Sequence, residues 1–320
     1  MNKSKLIPII ASSSIILGIV LTGIGYTSGA VFSILSTDDG LKAIDVKDIQ
    51  TISEELSSFS DIDVDLDDAD FEIIPSDTYK IEILSHKELA TRITYKVQNN
   101  KLLIESDGLD VRFFNISLGG IPNTKIKIYY PKDTTFNTIN VTNKFGDIHL
   151  DGINSNHLTI YSGDGNITTT NVKLDKFEIK NNFGDILASN VETKNLVIDM
   201  NDGDLQLMKV VADVITITNQ FGDMDVSDLN SEGLTITSID GDVKIHGLLL
   251  GKSNIKSNFG DVDLQVTNKE SELSYNITNS FGDIIVNLNE YESKANHHVN
   301  TKHELTIKAN DGDVNVQFNS

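Results

Sequence analysis

Glycine stands at Gly146, Gly165, Gly184, Gly203, Gly222, Gly241 and Gly260, six consecutive steps of 19 residues. No other feature of the chain restricts its fold as much, because each repeat must be one small unit stacked on its neighbours. The frame then loosens to Gly282 and Gly312, steps of 22 and 30 residues. Phe-Gly-Asp occurs at Phe145, Phe183, Phe221, Phe259 and Phe281, and aspartate replaces the ring at Asp164, Asp202, Asp240 and Asp311.

Apolar columns run in the same frame. Two residues after the glycine stand Ile148, Ile167, Ile186, Leu205, Met224 and Val243, and five before it stand Val141, Ile160, Ile179, Ile198, Ile217 and Ile236. Period-two alternation on both sides of the glycine predicts two short strands per repeat, each with one buried face, and a bend at the glycine. One repeat cannot cover its own apolar face, so the expected fold is all-β, a β-solenoid of 19-residue repeats over residues 136–320. The nine glycines from Gly146 to Gly312 are its expected structural turns. Two geometries fit the Phe/Asp alternation. With 19 residues to a turn, each ring lies about 4.8 Å from a carboxylate; with 38, ring stacks on ring. Avoidance of the ring–carboxylate contact favours the 38-residue turn.

Residues 59–135 alternate too, as in Ile62, Val64 and Leu66, but with irregular spacing. They read as an N-terminal all-β section that caps the open edge of the array. Residues 37–58 read as a juxtamembrane linker with a short helix near Glu54, Glu55 and Leu56. Between Leu6 and Leu35 no residue is charged, enough to cross a bilayer, which takes about 20 residues. Lys3 and Lys5 precede the stretch and Asp38 and Asp39 follow it, so the positive-inside rule puts residues 1–36 down as cytoplasmic tip and transmembrane anchor, with the rest outside. A cleaved signal peptide competes, since Ser28 and Ala30 have the small-x-small spacing of a peptidase site; the length of the uncharged run favours the retained anchor. The expected address is the cell membrane, single-pass, with an extracellular ectodomain.

Charge and composition remove several functions. With 26 Lys plus Arg against 47 Asp plus Glu the formal charge is −21, which repels nucleic acid and anionic head groups and favours cationic partners. The absence of cysteine excludes disulfides and thiolate metal sites. Arg92 and Arg112 are the only arginines, so bidentate recognition of phosphate is not a main activity.

Asp63-Val64-Asp65-Leu66, Phe71-Glu72-Ile73-Ile74-Pro75 and Ile126-Lys127-Ile128-Tyr129-Tyr130-Pro131, followed by serial Gly-Asp-Ile motifs, resemble the DUF4097 putative adhesin family of bacterial envelope proteins. The resemblance covers about residues 44–318. It implies a β-strand repeat fold on the outer side of the membrane, in a family some of whose members sit in operons responding to envelope stress. It brings no catalytic residues.

Few residues suggest chemistry. Asp61, Asp63, Asp65, Asp67 and Glu72 match the acidic positions of a calcium loop, but Leu66 stands where that loop needs glycine, and a solvated strand face accounts for them better. The aspartates after each glycine, with Asp204, Asp223, Asp242 and Asp261 the foremost metal candidates, could hold Ca²⁺ as a ladder; a turn whose carboxylates accept backbone N–H groups is the favoured account, with no cofactor. His297, His298 and His303 lie together in the last long repeat, where adjacent histidines on a strand point to opposite faces and exposed loop histidines are the default. No serine nucleophile is recognisable. The chain therefore reads as a non-enzymatic, membrane-anchored binding or scaffold module of the envelope, its partner an envelope component or membrane protein and not nucleic acid. Alternatives are an envelope-stress sensor that captures cationic peptides and, behind it, a polysaccharide-active β-helix enzyme.

Overall fold

The computed structural model describes residues 3–29, 33–37, 40–106, 116–117 and 123–319; Ala30, Asp38, Asp39 and Arg112 lie outside them. It divides into two compact units, Met1–Ile49 with Leu109–Pro122, and Gln50–Gly108 with Asn123–Ser320.

The first unit contains a 25-residue helix, Lys3–Thr27. At 1.5 Å per residue it is about 37 Å long. Its apolar part, Ile10–Thr27, is long and apolar enough to cross a membrane and has no buried side chains. Strand Ser33–Thr37 pairs antiparallel with Gly40–Ile44 on one side and Ile116–Ser117 on the other.

The second unit is a parallel β-solenoid. Strands Ile167–Phe183, Ile186–Asp202, Leu205–Phe221, Met224–Asp240 and Val243–Phe259 follow one another with only the glycine corner between them. Ile167 pairs with Ile186, Ile186 with Leu205 and Leu205 with Met224, so one turn is 19 residues. The expected 38-residue turn is therefore incorrect: Phe183 lies beside Asp202, and Asp202 beside Phe221. Both side chains of each pair are exposed, so the carboxylate keeps its water and the contact does not bury a charge against a ring.

Each turn has three inward-facing segments. In the turn of Ile167 these are Ile167 and Thr169, then Val172 and Leu174, then Phe177, Ile179 and Asn181, all buried. The two strands expected on either side of the glycine are thus joined by a third. The bend after the first segment has positive φ at Gly152, Asn171, Asn190, Lys209 and Asp228, between +53° and +69°. Asparagine and aspartate tolerate this conformation best after glycine. The columns Ile148 to Val314 and Val141 to Ile307 are all buried and form one continuous core.

Residues upstream of the regular repeats join the same array. Asp61–Asp68 pairs in parallel register with Phe136–Phe145, and Asp70–Ser76 with Ile148–Asp151, which makes them a first turn. Lys101–Ser106 continues the stack on Asp61–Asp68 and forms a hairpin with Ile93–Gln98. Lys80–His86 runs antiparallel to Lys125–Pro131. Glu54 and Glu55 lie in strand Ile49–Glu55, where a short helix was expected, and Glu54 accepts a hydrogen bond from the Tyr95 hydroxyl at 2.6 Å. That bond pushes the Tyr95 phenol up to about 12.

The far end departs from chain order. Glu304–Asp311 pairs with Val243–Phe259 on one side and with Ser274–Phe281 on the other. Val314–Asn319 lies likewise between Val262–Lys269 and Ile284–Val286. The last segment of the chain is thus inserted between two earlier turns, which explains the irregular glycine steps of 22 and 30. Asn289–Tyr291 and Lys294–His297 pair antiparallel on the outermost turn and cover its edge.

Candidate functional site

The glycine corner concentrates the acidic, aromatic and buried polar residues. Every backbone group there has a partner, as a buried or half-buried bend requires. The N–H of Gly203 donates to the Phe221 carbonyl of the next turn at 3.1 Å, and that of Leu205 donates to the Asp223 carbonyl at 2.8 Å. The N–H of Asp223 donates to Oδ1 of Asp204 at 2.9 Å. The same bond recurs along the array, Asp242 to Asp223, Asp261 to Asp242, Asp313 to Asp261 and Asp283 to Asp313, at 2.8–2.9 Å. The aspartates singled out from sequence, Asp204, Asp223, Asp242 and Asp261, therefore do stand in one exposed column. One oxygen of each is used by the N–H of the following turn rather than by a group within its own turn.

Glycine is required here twice over. Gly222 has φ +114°, and a Cβ on it would lie 2.2 Å from the Gly203 carbonyl oxygen. The corresponding atom on Gly165 or Gly241 would lie 2.1 Å from the oxygen of the preceding glycine.

Those glycine oxygens are held by a residue the sequence reading passed over, three positions before the glycine. Asn219 is fully buried, and its Nδ2 donates to Gly222 at 2.9 Å and to Gly203, one turn back, at 3.3 Å. Asn181 does the same for Gly184 at 2.6 Å and Gly165 at 3.5 Å, and Asn143 for Gly146 at 3.0 Å and Ala69 at 2.8 Å. One asparagine serves two turns, so the turn between carries Ser162 or Met200 instead. This accounts for the 38-residue period. The paired unit exists in the hydrogen bonding of the corner and not in the winding of the chain.

The ring before the glycine faces outward. Phe145, Phe183, Phe221, Phe259 and Phe281 are 50–68% exposed. Pairing puts Asp164 between the first two, Asp202 between Phe183 and Phe221, and Asp240 between Phe221 and Phe259. Because the last segment is inserted, Asp311 comes between Phe259 and Phe281, and the alternation that the sequence breaks is restored in space. Asp68 lies beside Phe145 at the other end. Burial, then the neighbouring Asp70 and Asp67, hold its carboxyl above the usual carboxylate range. From Asp147 to Asp283, among the described residues, one amine pairs with the acidic columns, Lys244 with Asp242 at 3.8 Å.

Other sequence candidates have local roles. Asp61 to Asp67 lie on a strand, with Asp63 paired to Lys101 at 3.2 Å and Asp67 paired to Lys144. Nδ1 of His303 accepts from the N–H of Gly251 at 2.8 Å, and His297 stacks on Tyr275 with ring centroids 5.3 Å apart. Among the described residues no three histidine, aspartate or glutamate side chains are grouped to hold a metal. Two surface grooves border the acidic column, one of about 370 Å³ by Asp225, Lys244, His246 and Asp263, the other of about 330 Å³ by Glu72, Lys125, Asp147 and His149.

A putative adhesin from Bacteroides fragilis NCTC 9343 is similar over 84% of this chain and 97% of its own, at 14% identity and a TM-score of 0.42. A putative lipid binding protein from Parabacteroides distasonis ATCC 8503 is similar over 83% and 97%, at 12% identity and a TM-score of 0.48. A putative adhesin from Parabacteroides merdae ATCC 43184 is similar over 83% and 96%, at 14% identity and a TM-score of 0.45. A search of curated proteins finds no match. The model of Toastrack DUF4097 matches residues 59–317, which takes in the first turn, every glycine corner and the inserted last segment: the chain belongs to the Toastrack DUF4097 family.

Proposed function

We propose that the chain is a non-enzymatic binding or scaffold module of the bacterial envelope, held in the membrane by Lys3–Thr27 with the solenoid on the extracellular side. The observation that carries this reading is the economy of the turns. Strands such as Ile167–Phe183 and Ile186–Asp202 are joined by two residues, which leaves no loops on which a catalytic set could be assembled, while the corner repeats one exposed motif along its length. Lys3 and Lys5 before the apolar helix support the orientation. The acidic corner supports a second reading, a sensor that captures cationic peptides. No resident cofactor is needed in either, since the ladder carboxylates already have hydrogen-bond donors.

Two measurements test this. Protease added to wall-stripped cells should degrade all but about the first 35 residues, the length that helix and tip protect. Crosslinking in intact cells should recover an envelope component. A protected solenoid refutes the topology, and cleavage of wall polysaccharide by the purified protein refutes the non-enzymatic reading.

A further inference from the structure

The phenylalanine row is the least expected surface of the molecule. Five rings, each half or more exposed, stand in one line on a chain whose other apolar columns are buried. Successive turns are about 4.8 Å apart, so rings two turns apart are separated by about 9.6 Å. That gap holds one exposed aspartate, giving the slots Phe145–Asp164–Phe183, Phe183–Asp202–Phe221, Phe221–Asp240–Phe259 and Phe259–Asp311–Phe281. The ladder of Asp185, Asp204, Asp223 and Asp242 runs alongside, two residues away in sequence.

We propose that this row is a binding surface for an extended cationic peptide, one ammonium or guanidinium group per slot. The inference rests on the binding-module reading and names its ligand class. A ring face attracts a cation through its quadrupole, and a carboxylate between two rings supplies the countercharge. Charge complementarity selects this occupant. The gaps hold carboxylates rather than the amides and hydroxyls that a neutral sugar chain would need, and a row so acidic repels anionic lipid. A second copy would bring the same carboxylates face to face.

The spacing sets the register of the ligand. A polyproline II chain advances about 3.1 Å per residue, so a basic residue at every third position recurs every 9.3 Å or so, close to the slot period. A fully extended strand advances about 6.8 Å per two residues and falls out of step.

The test uses the full chain in detergent micelles and two synthetic peptides of about 15 residues, both of proline and lysine in equal composition. One has lysine at every third position; the other has its lysines clustered at one end. Binding is followed by fluorescence anisotropy at an ionic strength near 0.15 M, where long-range charge attraction is screened beyond about 8 Å. The spaced peptide is expected to bind at least about 10-fold tighter than the clustered one. Phe183→Leu with Phe221→Leu should cost it about 5- to 25-fold, two exposed cation–π contacts, at an unchanged melting midpoint. Asp202→Asn with Asp240→Asn should reduce binding of the spaced peptide and leave the fold intact by circular dichroism. Equal affinity for the two peptides, or no effect of the leucine pair, overturns the proposal. So does ring-dependent binding of phosphatidylglycerol vesicles or of a neutral chito-oligosaccharide without binding of the spaced peptide. If the slots fail while the leucine pair still crosslinks the same envelope component as the parent, the module reading survives them; if neither protein crosslinks anything, that reading fails by itself.

Discussion

Replacing Asn219 by alanine tests the account of the glycine corner most directly. The amide of Asn219 donates to two carbonyls, Gly222 in its own turn and Gly203 in the turn before. A hydrogen bond contributes about 0.5–1.5 kcal/mol net, so the two together stabilise the fold by about 1–3 kcal/mol. The upper half of that range is expected, because Asn219 is 0% exposed and water cannot take its place. Ser257 makes the matched control: it occupies the same position in another turn but makes one long bond, 3.5 Å, to Gly260, so Ser257→Ala should cost about 0.5 kcal/mol or less. Met200→Asn is the reciprocal change. The carbonyls of Gly184 and Gly203 are already taken by Asn181 and Asn219, so the new amide finds no acceptor, and removing Met200 from the core costs a further 1.5–3 kcal/mol or so. Urea unfolding followed by far-ultraviolet circular dichroism reads all three. Asn219→Ala no more harmful than Ser257→Ala, or a stabilising Met200→Asn, refutes the two-turn role.

Gly222→Val should cost more than about 3 kcal/mol, since it meets both the positive φ and the Gly203 oxygen at 2.2 Å, whereas Phe221→Leu next to it, on the exposed row, should change stability by about 0.5 kcal/mol or less; equal thermal midpoints would count against the corner. Unfolding should shift little between EDTA and millimolar Ca²⁺ at equal ionic strength, and Asp204→Asn with Asp242→Asn should be near neutral because asparagine still accepts. A ligand bound only to the folded state at about 100 times its dissociation constant adds about 2.7 kcal/mol, so a Ca²⁺-dependent rise in midpoint that the double variant abolishes would make the ladder a metal site. Asp68 has its carboxyl held above 3.8 in the folded state, so its charged form opposes folding: stability falls as pH rises through that interval, and Asp68→Asn should stabilise the protein at pH near 7 and lose that advantage below about 3.8, as read by thermal midpoints across pH.

The solenoid was legible because its information is columnar. A strict 19-residue step with isoleucine five places before the glycine can be satisfied only by stacking, and each of those isoleucines is buried. The number of residues per turn was misjudged for a physical reason. Phe/Asp alternation suggested like stacked on like, but both side chains are solvated and impose no such rule, while the residue that does carry the double period, Asn181 or Asn219, looks in sequence like any polar residue near a turn. The second bend had a signal too. Gly152, Asn171, Asn190 and Asp228 stand at one repeat position, and residues tolerant of positive φ recurring there mark a left-handed corner. The insertion of Glu304–Asn319 had no local signal, since its strands satisfy the same pattern in either order. The acidic column was found from sequence, though the partner of each carboxylate, one turn away, depends on the winding.

The order of the last turns bears on how the chain is completed. A solenoid made in sequence can add each turn to the one before, so that every newly emerged repeat finds its seat at once. Here that growth stops after Phe259. The segment Ser274–Val286 cannot take its place until residues 304–319 have arrived to lie beneath it. A chain cut short anywhere in its last few residues therefore loses two turns rather than one and leaves the strand edge of Val243–Lys269 open. The final dozen residues serve as the closing piece of the whole array, and their arrival is the step that distinguishes a finished molecule from a fragment.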